Sequence, residues 1–459
     1  MSAGAPASVL SGRWDVAGRA GASAARYAPL VPAVATVLLL CVPADRGDVA
    51  AAGKITPADA ASAVLVVCCA VRLLRRRARP LDRRAVLVLG APAVGLAVAT
   101  IASADPAASL PGFVRHLQIF VLVPAALVLT LRTARDFRVV AGSVVLLALV
   151  QGAIGVHQYL TGTGASYMGE NVRAVGTFGP LDIMGMSTVV AYGLMAALAL
   201  GLAPDTDAPR WLRPAALGSA AALVPPLAVS FSRGAWIATA TAVVVVLLLA
   251  GLRLAVRTLA VLVALAVVLV GGAGAGSEML SRRVTSITTV SEAPDRSVTD
   301  RYSLWAAAAG MWRDAPVTGV GLKGFPAHRD SHASLGLSSG SEIAGAGLAF
   351  QREPLLSPHN MYLLVLSEQG LIGITALVGS WAALLVWALR RLTAARRSGR
   401  HADCGLAATG LLVWQSVDFL SSDIGGPSTV LSAVLFGLVG WWALAAPVGG
   451  RAAGRIRDE

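Results

Sequence analysis

Long apolar runs dominate the chain, and they predict its fold. A run of about 20 apolar residues can cross the hydrocarbon core of a bilayer as an α-helix. Twelve such runs occur, at residues 28–43, 58–74, 85–103, 113–131, 137–160, 181–203, 212–230, 232–250, 253–272, 371–390, 404–420 and 428–446. The pattern predicts an all-α polytopic membrane protein with about twelve transmembrane helices.

Composition supports this class. The chain is 56% hydrophobic and only 14% charged, whereas soluble domains are nearer a quarter charged. The strands of a β-barrel would alternate in polarity over about ten residues, and no such alternation is present. The net charge of +13 would suit a nucleic acid partner. We interpret it instead as the basic rim of a membrane protein.

The distribution of Lys and Arg predicts the orientation. With the N-terminus inside, the cytoplasmic segments carry 25 of the 38 Lys and Arg residues. This interpretation predicts a cytoplasmic tail at 1–27, helices 1–9 within 28–272, an extracytoplasmic loop with the catalytic motifs at 273–370, helices 10–12 within 371–446, and a cytoplasmic tail at 447–459. Both termini are then cytoplasmic, and the loop faces outward.

Arg233 follows a short serine-containing link between the seventh and eighth spans. The predicted eighth helix starts at the outer face, and the N-terminus of a helix favours anions. Arg233 is therefore a candidate phosphate ligand. The alternative is an interfacial arginine that extends toward water.

Arg301 lies on a predicted helix that Thr299 or Asp300 can cap and that ends before Pro316. Trp305 lies on the same helix face, because it is four residues further on. An amphipathic helix at the membrane interface would explain its tryptophans. It would not explain an arginine in the first turn, where an anion is favoured.

Residues 319–324 match the dinucleotide-binding pattern G-x-G-x-x-G. No strand precedes them and no βαβ unit surrounds them, so we reject that interpretation. A tight turn that closes the Arg301 helix accounts better for the glycines.

His359 and Asn360 follow Pro358 at the start of a helix predicted to run to about Gln369. The N-terminus of a helix disfavours the imidazolium cation, which suits a neutral general base. Glu368 is nine residues further on and falls on the opposite helix face. Tyr362 is the better neighbour on the same face.

Arg173 adds another cation in the loop between the fifth and sixth spans, where a glycine-rich turn is the alternative interpretation. His157, Arg115 and Asp418 are further polar residues at outer helix ends, and the sequence does not rank them.

Several of these segments together resemble the O-antigen ligase and polymerase group of membrane glycosyltransferases. The similar segments contain R-x-x-x-W at Arg301, P-x-x-G-V-G-x-x-x-F at Pro316, H-N-x-Y-L-x-x-x-x-E-x-G-x-x-G at His359, S-R-G-A-W around Arg233, and R-x-x-G-T-F at Arg173. Asp182 departs from the resemblance, because asparagine is expected there.

The resemblance implies a C-type glycosyltransferase fold and transfer of a glycan from a polyprenyl-pyrophosphate lipid to an acceptor hydroxyl. By position, His359 would be the base, and Arg233 and Arg301, with Arg173 on the same side, would bind the pyrophosphate. Asn360, Tyr362 and Trp305 would support them. Guanidinium groups suit phosphate oxygens, and the leaving group gains charge in the transition state.

The implied partners are a lipid-linked glycan donor, a glycan, lipid or protein acceptor, and membrane lipids, with no nucleic acid. No D-x-D-type metal cluster is evident, so we predict catalysis without a metal or other cofactor. The ligase and polymerase functions stay open. A transporter of a glycan or a small anion is an alternative of another class, although the centres of the spans are nearly free of charge. A structural scaffold is the third possibility, and it leaves the outer arginines unexplained.

Overall fold

The protein is described by a computed structural model. It covers residues 27–43, 55–76, 81–167, 173–182, 184–203, 208–258, 296–334, 341–345, 348–353 and 355–445, together with residues 260 and 337. The helices of the bundle are α1 (Ala28–Cys41), α2 (Pro57–Arg76), α3 (Arg83–Ile101), α4 (Pro106–Thr130, with a π-helical turn at Gln118–Leu122), α5 (Ala134–Thr161), α6 (Gly185–Leu202), α7 (Leu212–Ala222), α8 (Val224–Ala228) and α9 (Arg233–Ala250). The later helices are α10 (Arg296–Asp314), α11 (Phe325–His332), α12 (Met361–Ser398), α13 (Ala402–Asp418) and α14 (Thr429–Ala445).

The membrane class is confirmed. Within the described ranges, seven helices are long and apolar enough to cross a bilayer, and α1 and α14 are shorter apolar helices. The predicted ninth span, 253–272, lies largely outside the described residues. The other predicted spans fall on helices, although the seventh is divided into α7 and α8 just before Pro225.

One predicted helix boundary is wrong. The helix of Arg301 begins by Arg296, so neither Thr299 nor Asp300 caps it, and Arg301 is not in its first turn. Capping preferences failed here because the chain before Thr299 already continues the helix. The break predicted between Gln369 and residue 371 is present, because Gly370 has non-helical angles and α12 consists of two helical halves that meet there at a kink.

The centre of the bundle is α6, of whose 18 residues 83% are buried. Protein rather than lipid therefore surrounds it. Nearby, the Trp381 ring of α12 is stacked between Phe419 and Phe436, with centroid distances of 5.5 and 5.2 Å. These aromatic contacts hold α12 against α13 and α14.

The end of the bundle where α13 begins is fixed by an ion pair. Arg138 of α5 donates to both carboxylate oxygens of Asp403, at 2.7 and 3.1 Å, and both side chains are buried. A fork of two charge-assisted hydrogen bonds fixes geometry as well as distance. At the opposite end of α13, Asp418 and the loop that follows it form a separate polar region.

A small antiparallel sheet accompanies the helices. Its strands are β1 (Ala165–Tyr167), β2 (Ser341–Gly345) and β3 (Leu348–Glu353), in the order β1-β2-β3. The sheet joins the loop after α5 to the hairpin that precedes α12. It therefore links the Arg173 segment to the His359 segment in the fold.

Candidate functional site

His359 immediately precedes the N-cap of α12. The Asn360 side chain caps this helix by accepting from the Leu363 amide at 3.0 Å, and it also donates to the Leu420 carbonyl at 3.0 Å. His359 itself has a φ of 48°, a left-handed conformation that is uncommon for a residue other than glycine. Asn360 and this backbone angle together fix the position of the His359 backbone, from which the imidazole extends.

Two side chains of opposite charge affect the pKa of His359. Burial, together with the positive charge of Arg301, holds the pKa of His359 below its ordinary value of 6.5, and the Asp423 carboxylate opposes that shift. The ring is therefore neutral at neutral pH. A neutral imidazole can accept a proton, as a general base must.

The helix that carries Arg301 is joined directly to the His359 segment. Trp305 of α10 donates from its indole nitrogen to the Pro358 carbonyl at 2.9 Å. Arg301 also interacts electrostatically with Asp418 at the end of α13. Arg301, His359 and Trp305 thus lie in one region of the structure.

The loop between α13 and α14, residues 419–428, contacts the start of α12 and the end of α13. The Met361 amide donates to the carbonyls of Phe419 and Ser422, both at 2.9 Å. The Ser422 hydroxyl donates to the Asp418 carboxylate. Asp418 was an unranked candidate from the sequence, whereas Asp423 was not identified from it. The available signal was a short polar stretch, S-S-D-I-G-G, between two apolar runs.

Arg233 begins α9, where Ser232 caps the helix by accepting from the Ala235 amide at 3.3 Å. The preceding Phe231 has a φ of 50°. A Cβ atom added at Gly234 would lie 2.3 Å from the Ser421 hydroxyl oxygen, so the 419–428 loop packs directly on this turn. The loop that contacts His359 therefore also contacts the Arg233 turn.

Arg173 is buried, and its backbone exchanges two hydrogen bonds with Ala165, at 2.8 and 3.1 Å. The next residue, Ala174, donates to the Val229 carbonyl at 3.4 Å. Since Val229 is four residues before Arg233, the two arginine segments lie side by side. Both arginines were candidate site residues in the sequence, but the sequence did not predict that their segments are adjacent.

Two glutamines of α5 hold the segment that follows Arg173. Gln158 accepts from the amides of Val175 and Gly176, at 3.0 and 2.9 Å, and donates to the Gly176 carbonyl at 2.9 Å. Gln151 accepts from the Thr177 amide at 2.9 Å and donates to its hydroxyl at 2.7 Å. The sequence analysis missed both residues, whose only signal was an amide side chain within an apolar span.

Asp182 has a structural role at two helix starts. Its carboxylate accepts from the Ser428 amide at 2.9 Å, just before α14, and from the Gly185 amide at the start of α6. Burial raises the pKa of Asp182 to about 6, and the bonds from Ser428 and Gly185 oppose that rise. An acceptor is needed here whether the residue is aspartate or asparagine.

Other residues from the sequence analysis are engaged elsewhere. The Tyr362 hydroxyl donates to the Ser416 carbonyl at 2.7 Å, which joins α12 to α13. Arg115 forms an ion pair with Asp59 of α2 and bonds to Gln118. His157 is exposed on α5. Residues 319–324 lie in the connection between α10 and α11, with positive φ angles at Gly319 and Gly321.

The fold and this site define a class of protein: a multi-pass helical membrane protein with a histidine and two arginines, Arg233 and Arg301, around the end of α13. The family model described as O-antigen ligase matches residues 218–378, a range that includes Arg233, Arg301 and His359. The resemblance to the O-antigen ligase and polymerase group is therefore confirmed over that range, and the match supports a ligase-like or polymerase-like function in polysaccharide assembly. No curated protein matches the chain.

Proposed function

We propose that the protein transfers a glycan from a polyprenyl-pyrophosphate lipid to an acceptor hydroxyl, with His359 as the general base. The observation that carries the proposal is the proximity of His359 to Arg301, whose segments are joined by the Trp305–Pro358 hydrogen bond. This arrangement puts a proton acceptor beside a cation that suits a phosphate leaving group.

The reaction is a displacement at the anomeric carbon of the donor glycan. A neutral imidazole nitrogen of His359 takes the proton of the acceptor hydroxyl, whose oxygen then forms the new bond to the anomeric carbon. The bond from that carbon to the pyrophosphate oxygen breaks, and its electron pair leaves with the pyrophosphate. Arg301 and Arg233, with Arg173 beside them, stabilise the charge that develops there. Asp423 stabilises the imidazolium once it forms.

The proposal includes an extracytoplasmic site, cytoplasmic termini and catalysis without a metal. A ligase and a polymerase share this chemistry and differ in the acceptor. A ligase uses a lipid or protein anchor, whereas a polymerase uses a second lipid-linked glycan. Offering purified protein each acceptor with one labelled donor distinguishes the two, because only the true acceptor becomes labelled.

The test of the base is His359→Gln in full-length protein in lipid nanodiscs, assayed for donor binding and for transfer. An amide can hydrogen-bond but is a very poor base, so we expect transfer to fall by about 10²- to 10⁴-fold while donor binding persists. His157→Gln, which changes an exposed histidine of α5, is the matched control. Turnover of His359→Gln near the wild-type rate would remove the histidine from this role.

A further inference from the structure

Glu368 is a buried carboxylate that the proposed reaction does not use. It lies on α12, is 3% exposed, and accepts a hydrogen bond from the Phe325 amide at 3.1 Å. The backbone of Lys323 bonds to the same side chain. Phe325 is the first residue of α11, so Glu368 binds the end of the connection that follows the Arg301 helix.

The same connection is bonded to α12 through its backbone. Gly370, with φ 61° and ψ −160°, interrupts the regular hydrogen bonding of α12. Leu371 donates to the Pro316 carbonyl at 2.9 Å, and Ile372 donates to the Val317 carbonyl at 3.2 Å. In the other direction, the Val320 amide donates to the backbone carbonyl of Ser367 at 2.9 Å, and the Gly321 amide donates to the backbone carbonyl of Glu368 at 3.0 Å. The connection thus satisfies backbone groups that the break in α12 sets free.

Both chains need glycine for this close approach. A Cβ atom at Gly319 would lie 2.3 Å from the carbonyl carbon of Glu368, and one at Gly370 would lie 2.3 Å from the Val317 carbonyl oxygen. Both glycines also have positive φ angles, at which a side chain is strained. The junction therefore has little freedom to slide.

The junction is the second of two attachments between α10 and α12. Trp305 bonds to Pro358 from the middle of α10, and Pro316 and Val317 bond to Leu371 and Ile372 just beyond its C-terminal end. About nine residues of helix, or roughly 14 Å, separate Trp305 from that end of α10. Two attachments that far apart fix both the register and the tilt of one helix on another.

We propose that Glu368 is a positioning residue that sets where Arg301 lies relative to His359, by holding the 316–325 connection on α12. This inference rests on the proposed function. It assigns Glu368 no contact with substrate. Loss of its acceptor oxygen frees the Phe325 amide and lets α10 pivot about the Trp305–Pro358 bond.

The test compares Glu368→Leu with Glu368→Gln in nanodiscs. Leucine removes the acceptor, whereas the glutamine carbonyl can still accept from Phe325. For Glu368→Leu we expect kcat to fall about tenfold or more, because small displacements of catalytic groups are costly. The fall of kcat at low pH, which we call the acid limb and which reflects protonation of His359, should also move to higher pH in Glu368→Leu. A displaced Arg301 opposes the imidazolium less, while Asp423 still favours it. Glu368→Gln should keep the wild-type pH profile and most of the activity.

Ser380→Ala is the matched control, because Ser380 is buried on α12 and donates to the Val88 carbonyl at 2.7 Å away from the site. It should lower the melting temperature without moving the acid limb. If Glu368→Leu behaves like Ser380→Ala, the proposal is overturned. Glu368→Asp, whose shorter side chain cannot reach Phe325, replaces the leucine variant if that variant does not fold.

A distance measurement separates this proposal from the proposed function. Spin labels at Tyr302 and Leu420, which are both exposed, report the separation of α10 from the 419–428 loop. We expect the distance distribution to broaden or shift in Glu368→Leu but not in Glu368→Gln or Ser380→Ala. An unchanged distribution in Glu368→Leu refutes the positioning role even if His359 is the base. A changed distribution supports that role even if His359→Gln remains active.

Discussion

The indole nitrogen of Trp305 lies 2.9 Å from the carbonyl oxygen of Pro358, so a single hydrogen bond connects the helix of Arg301 to the residue before His359. Neither tryptophan nor proline carries chemistry in the proposed reaction. Their bond nevertheless joins the two segments that carry Arg301 and His359.

Trp305→Phe removes this bond and keeps most of the ring. A net hydrogen bond is worth about 1 kcal/mol, which corresponds to about fivefold in rate when only the transition state loses it. We therefore expect kcat to fall by about that factor with donor affinity nearly unchanged. Trp442→Phe is the control, since its indole makes a similar bond to the Ala388 carbonyl elsewhere in the bundle. Equal effects in both variants would mean that only packing was lost.

Arg301→Lys and Arg233→Lys should each lower transfer by about tenfold or more. Lysine keeps the positive charge but cannot present two parallel donors to phosphate oxygens. Steady-state transfer and donor binding are measured for each variant. Arg313→Lys, an exposed change on the same helix as Arg301, should be silent. Full activity in either site variant would exclude that arginine from the pyrophosphate site.

Asp423→Asn should move the acid limb of activity to lower pH. Asp423 is the group that raises the pKa of His359 against burial and Arg301, so its neutralisation lets that pKa fall further. The ring then stays neutral, and competent as a base, in more acidic solution. The pH profile of kcat is compared with that of Asp330→Asn, whose carboxylate is exposed on α11. A limb that stays in place or moves upward contradicts the assigned geometry.

The wild-type protein should become more stable on mild acidification, and Asp182→Asn should remove this gain. Burial raises the pKa of Asp182 to about 6, above its ordinary value of 3.8, so the folded protein binds this proton more tightly than the unfolded chain. Its contribution is fully present below about pH 4 and is lost as pH rises through about 6. Asparagine is neutral at every pH and still accepts from Ser428. We expect it to stabilise the protein by about 1–3 kcal/mol at neutral pH.

The measurement is thermal unfolding in detergent at pH 5 and pH 7.5. The difference between the wild type and Asp182→Asn should shrink at the lower pH. Asp182→Leu is the comparison variant, because it leaves the amides of Ser428 and Gly185 without their acceptor. It should be destabilised at both pH values. A constant advantage for asparagine would show that the carboxyl group does not titrate in this range.

The sequence by itself determined the membrane helices and the residue types of the site. A bilayer satisfies no backbone polar groups, so every crossing must be an apolar helix, and that constraint is local enough to read from composition. The start of α9 at Arg233 and the placement of His359 beside the start of α12 follow equally from local signals, a serine cap and a proline-histidine-asparagine stretch.

Only the tertiary structure decided which of those residues meet. Asp423 is 64 residues after His359 and affects its protonation only because the 419–428 loop folds back onto the start of α12. Glu368 bonds to the Phe325 amide, which is 43 positions earlier in the chain. Electrostatic and hydrogen-bonding energies depend on separation in space. Hydropathy and capping describe neighbours along the chain and contain no information about such distant contacts.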